Sequence, residues 1–310
     1  MISLNTHPNL YIKNYSDALS YAKSLIPVKT PNKMQFHLYW RVPSDVGDKH
    51  LTCLKSIVAN HEEINHDNYE INLWSNVDLS QNEILKPVSP FVKHRLWNPI
   101  EEMVGTPLQD HIDYFKSVVV DDSLCWLGID LFKILCLYKY GGFFVDMDVF
   151  ILRDMSPLND LNFLYQWGDT GANPDAPNPM GGPPPKRILC NGAIMGLQKE
   201  SITAFRFLEQ LRYIRPVPNS VCWGCALYDV VQDPNLYKLP CSWFNIELLA
   251  NMPSDFNHLK KHDYAYDPHE GCFAWHWHSA RRWNALVEEG SKFDLLRKII
   301  DQKFDSVVSK

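Results

Sequence analysis

Two aspartates, Asp146 and Asp148, interrupt an otherwise apolar run, Phe143-Phe-Val-Asp-Met-Asp-Val-Phe150. If residues 143–150 form one strand, its alternation turns both carboxylates to the same face. Unpaired carboxylates on a buried segment are costly, so this pair needs a cation, hydrogen-bond donors or solvent at the strand end. Mg2+ and Mn2+ use few carboxylates and complete their shells with water and phosphate oxygens, which a nucleoside diphosphate supplies. The implied chemistry is departure of a diphosphate whose charge a metal neutralises. The plain alternative is a pair of aspartates that flanks a turn.

Three other groups could take part in chemistry. In Trp275-His-Trp-His278, strand alternation sets His276 and His278 to one side and the tryptophans to the other. The histidines could meet a metal or a phosphate, or be half-buried core residues. Cys222-Trp-Gly-Cys225 is a single Cys-x-x-Cys, which leaves a zinc or redox protein as an alternative. A phosphatase of the haloacid dehalogenase type would use the first aspartate of Asp-x-Asp as nucleophile. There the motif opens the fold and Thr usually follows, whereas here Val149 follows and strands precede it.

Several elements must hold these residues. Residues 34–42 and 69–76 alternate with period two and read as strands, as does the β-branched run Val118-Val-Val120. Leu51, Leu54, Ile57 and Val58 are at helical spacing, and so are Leu127, Leu131, Ile134, Leu135 and Tyr138, with Lys133 and Lys139 off that stripe. Gly141-Gly142 ends the second helix. After 143–150, the Pro- and Gly-rich segment 168–186 reads as a long loop beside the carboxylates, expected to close over a bound donor. A strand at 191–197, a helix at 201–213, the strand carrying 275–278 and a final helix with Phe293, Leu296, Ile299 and Phe304 inward complete the chain. Strands separated by helices predict an α/β, Rossmann-like sheet flanked by helices.

The run from Asp130-Leu-Phe-Lys133 through Tyr140-Gly-Gly-Phe-Phe-Val-Asp-Met-Asp148 resembles the DXD-containing glycosyltransferases grouped around yeast initiating mannosyltransferases, capsular sugar transferases and large clostridial glucosylating toxins (glycosyltransferase family 32-like). The match is strong over about twenty residues and, by element order, extends over most of 34–285. The resemblance implies a GT-A fold with a mixed central sheet. It also implies one domain over 1–310, with a nucleotide-sugar half (34–150) and an acceptor half with a closing segment (151–310).

By the same resemblance, Asp130 and Lys133 face the donor sugar, Asp146 contacts ribose or sugar hydroxyls, and Asp148 binds the metal. The family's helix motif ends in Arg where this chain has Lys133, which cannot form the same bidentate fork. Phe144 stands where Tyr is common, Trp40 near the nucleotide base, Asn76 on the nucleotide side, and Asn191-Gly192 toward the acceptor. Ala274-Trp-His-Trp-His-Ser-Ala-Arg-Arg-Trp283 resembles the closing segment, with His276, and beside it His278, over metal and diphosphate and Arg281 or Arg282 as further cations. The implied cofactors are Mn2+ or Mg2+ and a nucleotide sugar, a UDP-sugar ahead of a GDP-sugar. Transfer is to a hydroxyl, with a glycan as acceptor and retention of configuration. An inactive nucleotide-sugar-binding module is the alternative.

Composition narrows the partners. A net charge of -6 gives no electrostatic footprint for nucleic acid or an anionic membrane, so a phosphate-bearing ligand needs a metal or a few placed cations. No stretch approaches the roughly 18 apolar residues of a membrane span, and the first residues lack a basic-then-apolar leader. A soluble, cytoplasmic protein is expected, with most of its eight scattered cysteines reduced and buried.

Overall fold

The computed structural model describes residues 15–41, 46–65, 67–120, 125–166, 190–212, 233–245, 259, 271–278 and 285–310. Strands β1 (Met34–Trp40), β2 (Tyr69–Ser75), β3 (Val92–Leu96), β4 (Gly142–Val145), β6 (Asn162–Gln166), β7 (Cys190–Leu197) and β8 (Leu236–Leu239) form one sheet in the order β3-β2-β1-β4-β7-β6-β8. β3, β2, β1 and β4 run parallel, whereas β7 is antiparallel to β4 and β6. A second, two-stranded sheet pairs β5 (Val149–Ile151) with β9 (Ala274–His276). This is the mixed α/β sheet flanked by helices that the sequence predicts.

Both faces of the large sheet are buried, which explains the nearly continuous apolar runs of its strands. Phe36, Leu38, Ile71, Leu73, Phe143 and Val145 face one core, packed with α2 (Asp48–Asn65) and Phe304 of the last helix, α7 (Lys292–Val308). Trp74, Phe144, Leu164, Met195 and Leu197 face the other, beneath α5 (Cys125–Tyr140) and α6 (Ile202–Leu211). Short α3 (Pro99–Met103) and α4 (Ile112–Val120) join that second core, and α1 (Tyr15–Ser24) joins the first. Among the described residues, no helix is long and apolar enough to cross a membrane. Cys53, Cys136, Cys190, Cys241 and Cys272 are free and buried, as expected, while Cys222 and Cys225 lie outside the described residues.

Three expectations are corrected. Val118–Val120 is the end of helix α4, not a strand. Phe115 of that helix is buried with α5 residues, and such packing outweighs the β preference of three valines. The predicted strand over 143–150 breaks at Asp146, because the large sheet is apolar on both sides and has no place for the carboxylates. On α7 the inward stripe runs through Phe293, Ile300 and Phe304 with Leu296 beside it, while Ile299 is half exposed.

Gly141 and Gly142 make the turn from α5 into β4, both with positive φ. Gly142 has φ +97, and a Cβ there would collide with the Gln35 carbonyl of the neighbouring strand. Gly142→Ala is therefore expected to destabilise the protein by about 2–4 kcal/mol, from backbone strain plus the collision. Urea unfolding measures this, and a loss under about 1 kcal/mol, the bottom of the range for backbone strain alone, would contradict the close approach.

Candidate active site

The site forms where β4 ends. The Asp146 amide donates to the Ala193 carbonyl (2.7 Å) as the last bond to β7, and the Val149 amide then donates to the Asp146 carbonyl (3.1 Å), closing a turn. Met147 at the tip is buried in the first core and anchors the turn, leaving Asp146 and Asp148 partly exposed on either side. β5 continues from the turn, held to α2 by Ser56, whose hydroxyl accepts from Ile151 (2.9 Å), and by Asn60, which donates to the Ile151 carbonyl (2.9 Å).

Each aspartate meets a different partner. Lys133, on α5, is buried with its Nζ 3.1 Å from Asp146 Oδ2 and 3.8 Å from Asp130 Oδ1. Its ammonium stands 4.7 Å from the ring centre of Phe144, itself fully buried in the second core, so Phe144 acts on the site through Lys133. Burial opposes the lysine charge, but Asp146 and Asp130 more than offset it and hold its pKa above the ordinary value. Burial pushes the Asp146 carboxyl up to about 6; Lys133 opposes that rise and Asp148 adds to it.

Asp148 faces the C-terminal segment. Val149 pairs with His276 across the small sheet, and the Trp277 amide donates to the Asp148 carbonyl (3.1 Å). These bonds bring His276 Nε2 to 3.4 Å from Asp148 Oδ2. His276 Nδ1 meets the Tyr165 hydroxyl at 2.8 Å, and burial raises that phenol's pKa so that it stays protonated. His278 lies just past β9 with φ +51, its ring centre 3.8 Å from that of His276 and its Nε2 2.6 Å from Asn245 Nδ2. Trp275 and Trp277 point away into a separate apolar cluster with Phe150 and Phe293. The alternation read from the sequence thus describes this segment even though the strand stops at His276.

Trp40 and Asn76, expected on the nucleotide side, lie at the carboxyl ends of the neighbouring parallel strands, where open α/β sheets bind ligands. Trp40 ends β1, and Asn76 follows β2 as an exposed residue. His50, on the first turn of α2, packs against Trp40 with ring centres 4.0 Å apart and accepts from the Gly47 amide through Nδ1 (2.7 Å). Burial lowers its pKa to about 4 against the pull of Asp148, so it is neutral at pH 7. Asn191 is buried, and its Oδ1 accepts from the Ala193 amide (2.7 Å) within an irregularity of β7 that includes Gly192. This pair thereby supports the backbone that binds Asp146.

His50, Tyr165 and Asn245 were missed in the sequence, where each reads as an ordinary helix or core residue. The 168–186 loop, Arg281, Arg282 and Trp283 lie outside the described residues. Among the described residues, no three His, Cys, Asp or Glu side chains converge as a closed metal cage. Asp148 and His276 instead present an oxygen and a nitrogen 3.4 Å apart. Adjacent ligands of an octahedral ion at about 2.1 Å stand roughly 3 Å apart, so this pair fits an open site completed by substrate and water.

Residues 48–165, a little over a third of the chain, match the family model described as a glycosyltransferase sugar-binding region containing a DXD motif. Over that region the chain is similar to DXD glycosyltransferases. No curated protein sequence matches it. Solved structures similar to this chain include GlyE of Streptococcus pneumoniae, with 10% identity, 90% of this chain and 62% of that one covered, and a TM-score of 0.46. Mouse xyloside xylosyltransferase 1 is 13% identical over 79% and 98% of the two chains (TM-score 0.46). The galactosyltransferase LgtC is 12% identical over 88% and 96% (TM-score 0.42).

Lys133→Met removes the cation that faces Asp146 and Asp130. Breaking a buried ion pair costs about 3–5 kcal/mol, and solvent access to the carboxylates reduces the expectation to about 2–3 kcal/mol. The sign with pH follows from Asp146. Its folded pKa, about 6, lies above the ordinary value of 3.8, so its charge penalises the fold increasingly as pH rises through that window. The deficit of the variant is therefore greatest above pH 6 and shrinks in acid, as denaturation at pH 5 and pH 7.5 would show.

Proposed function

We propose that this chain is a glycosyltransferase that moves a sugar from a nucleoside diphosphate, a UDP-sugar ahead of a GDP-sugar, to an acceptor hydroxyl of a glycan with retention, using Mn2+ or Mg2+. The observation that carries this reading is the meeting of Asp146, Asp148, Lys133 and His276 at the carboxyl end of the parallel strands. Asp148 and His276 would hold the cation, with Asp146 at its edge. When bound, the metal supplies positive charge against the diphosphate as the bond from sugar C1 breaks.

The remaining work falls to this chain's own groups. Trp40 and Asn76 bound the nucleotide end, and neutral His50 offers polar contact without adding charge. Asp130 and Asp146 accept from ribose or sugar hydroxyls, while Lys133 keeps both carboxylates oriented. His278 lies beside His276 over the diphosphate, and Asn191-Gly192 borders the acceptor side. The acceptor hydroxyl bonds to C1 as the bond from C1 to the diphosphate breaks, and its proton passes to the departing diphosphate. The whole chain then works as one domain, residues 34–150 for the donor and 151–310 for acceptor and closure, in a soluble, cytoplasmic enzyme.

Asp148→Asn preserves shape and removes the charge that faces the cation. It should lower turnover at least about 100-fold, or roughly 2.7 kcal/mol of barrier, with little change in melting temperature. A panel of UDP- and GDP-sugars with Mn2+ or Mg2+, scored for hydrolysis and transfer, tests donor and metal together; wild-type turnover by the Asn variant would refute the role. Metal binding also competes with the proton on Asp146, whose pKa is about 6. Mn2+ affinity should therefore fall as pH drops through about 6, and calorimetric titrations giving equal affinity at pH 5 and pH 7 would exclude Asp146 from the metal's surroundings.

A further inference from the structure

Tyr165 has no role in the scheme above, yet it makes the closest polar contact to His276. It sits on β6, fully buried, opposite Asn191 at the point where β6 and β7 lose register. From Phe163 to Tyr165, β6 advances two residues, while β7 runs five residues between the partners Gly196 and Asn191. Such bulges re-aim side chains beside functional sites. Here the phenol reaches across to the small sheet, with its hydroxyl 2.8 Å from His276 Nδ1.

The imidazole is thus bridged on its two nitrogens, since Nε2 faces Asp148 Oδ2 at 3.4 Å. The His276 backbone is already fixed, its amide donating to the Phe244 carbonyl (2.9 Å), so what remains is the rotation of the ring and the place of its proton. A neutral imidazole carries one N–H, and its other nitrogen is a lone pair. For Nε2 to face a cation, the proton must sit on Nδ1 and be donated to the Tyr165 oxygen. Asn245, which contacts His278 at 2.6 Å, also lies beside that hydroxyl and gives the phenol a second polar neighbour.

We propose that Tyr165 is a positioning residue that holds His276 in the Nδ1–H tautomer with Nε2 turned toward the cation beside Asp148. The inference rests on the reading of His276 as a metal ligand. Outer partners of ligating histidines typically change metal affinity about 10- to 100-fold when removed.

The test has one arm that needs no variant. Nitrogen-15 NMR of histidine-labelled, metal-free wild type should place the His276 proton on Nδ1; a proton on Nε2 overturns the proposal. In the second arm, Mn2+ alone is titrated by electron paramagnetic resonance into wild type, Tyr165→Phe, His276→Ala and the double variant. Tyr165→Phe should bind Mn2+ about 10- to 100-fold more weakly, with an altered His276 tautomer signal. The double variant should bind no more weakly than His276→Ala, because Tyr165 acts through that ring. Wild-type Mn2+ affinity in Tyr165→Phe, with affinity lost in His276→Ala, overturns this inference and leaves the metal reading standing. Affinity unchanged in His276→Ala overturns both.

Discussion

A strand that turns two carboxylates to one face cannot continue through a sheet packed with apolar side chains on both sides, and the chain leaves the sheet between Val145 and Val149. Much of the site follows from that exit. The turn anchored by Met147 starts a second small sheet, whose other strand comes from well over a hundred residues further along the chain. The Trp277 amide on the Asp148 carbonyl locks that strand to the turn. Trp275, Trp277 and Phe150 then pack against Phe293 of α7, so the C-terminal helix is tied to the same point. An electrostatic demand at two positions thereby sets the path of the C-terminal segment.

The exit also separates the aspartates in chemical character. Asp146 is tied to the large sheet and α5, with its amide on β7, its carboxylate on Lys133 and its pKa raised to about 6. Asp148 looks instead toward the histidines of the second half. Two identical side chains two residues apart therefore have environments that suit different tasks, one oriented by an internal cation and the other facing an imidazole nitrogen.

Much of this was legible in the sequence because it depends on local pattern. The Asp-x-Asp pair, the glycine turn before it, the helix bearing Asp130 and Lys133, and the alternation of Trp275-His-Trp-His278 each follow from spacing that the fold respects. What escaped depends on contacts between distant segments. Tyr165 sits in an apolar strand and gains its role only from a register shift against β7. His50 is one of many helix residues until β1 places Trp40 over it. The burial of Lys133 was also hidden, since a lysine off an apolar stripe ordinarily extends into solvent; here the carboxylates of Asp130 and Asp146 stabilise its charge inside the protein. The strand break at Asp146 was concealed because the pattern alone does not say that both faces of the sheet are covered.

Lys133 also has consequences of its own. An arginine facing a carboxylate tends to engage both oxygens through its planar fork, whereas an ammonium is a compact point charge. Lys133 meets Asp146 through Oδ2, and its Nζ stands over Phe144. The aromatic face offers that ammonium an attraction that needs no further hydrogen-bond acceptor, so its charge can be shared between Asp130 and Asp146 without claiming either carboxylate in bidentate fashion. Lys133 leaves Asp146 Oδ1 outside this contact, as the proposed acceptance from a donor hydroxyl requires. The lysine therefore exchanges the directional grip of a guanidinium for a carboxylate that remains oriented and still has an oxygen to offer.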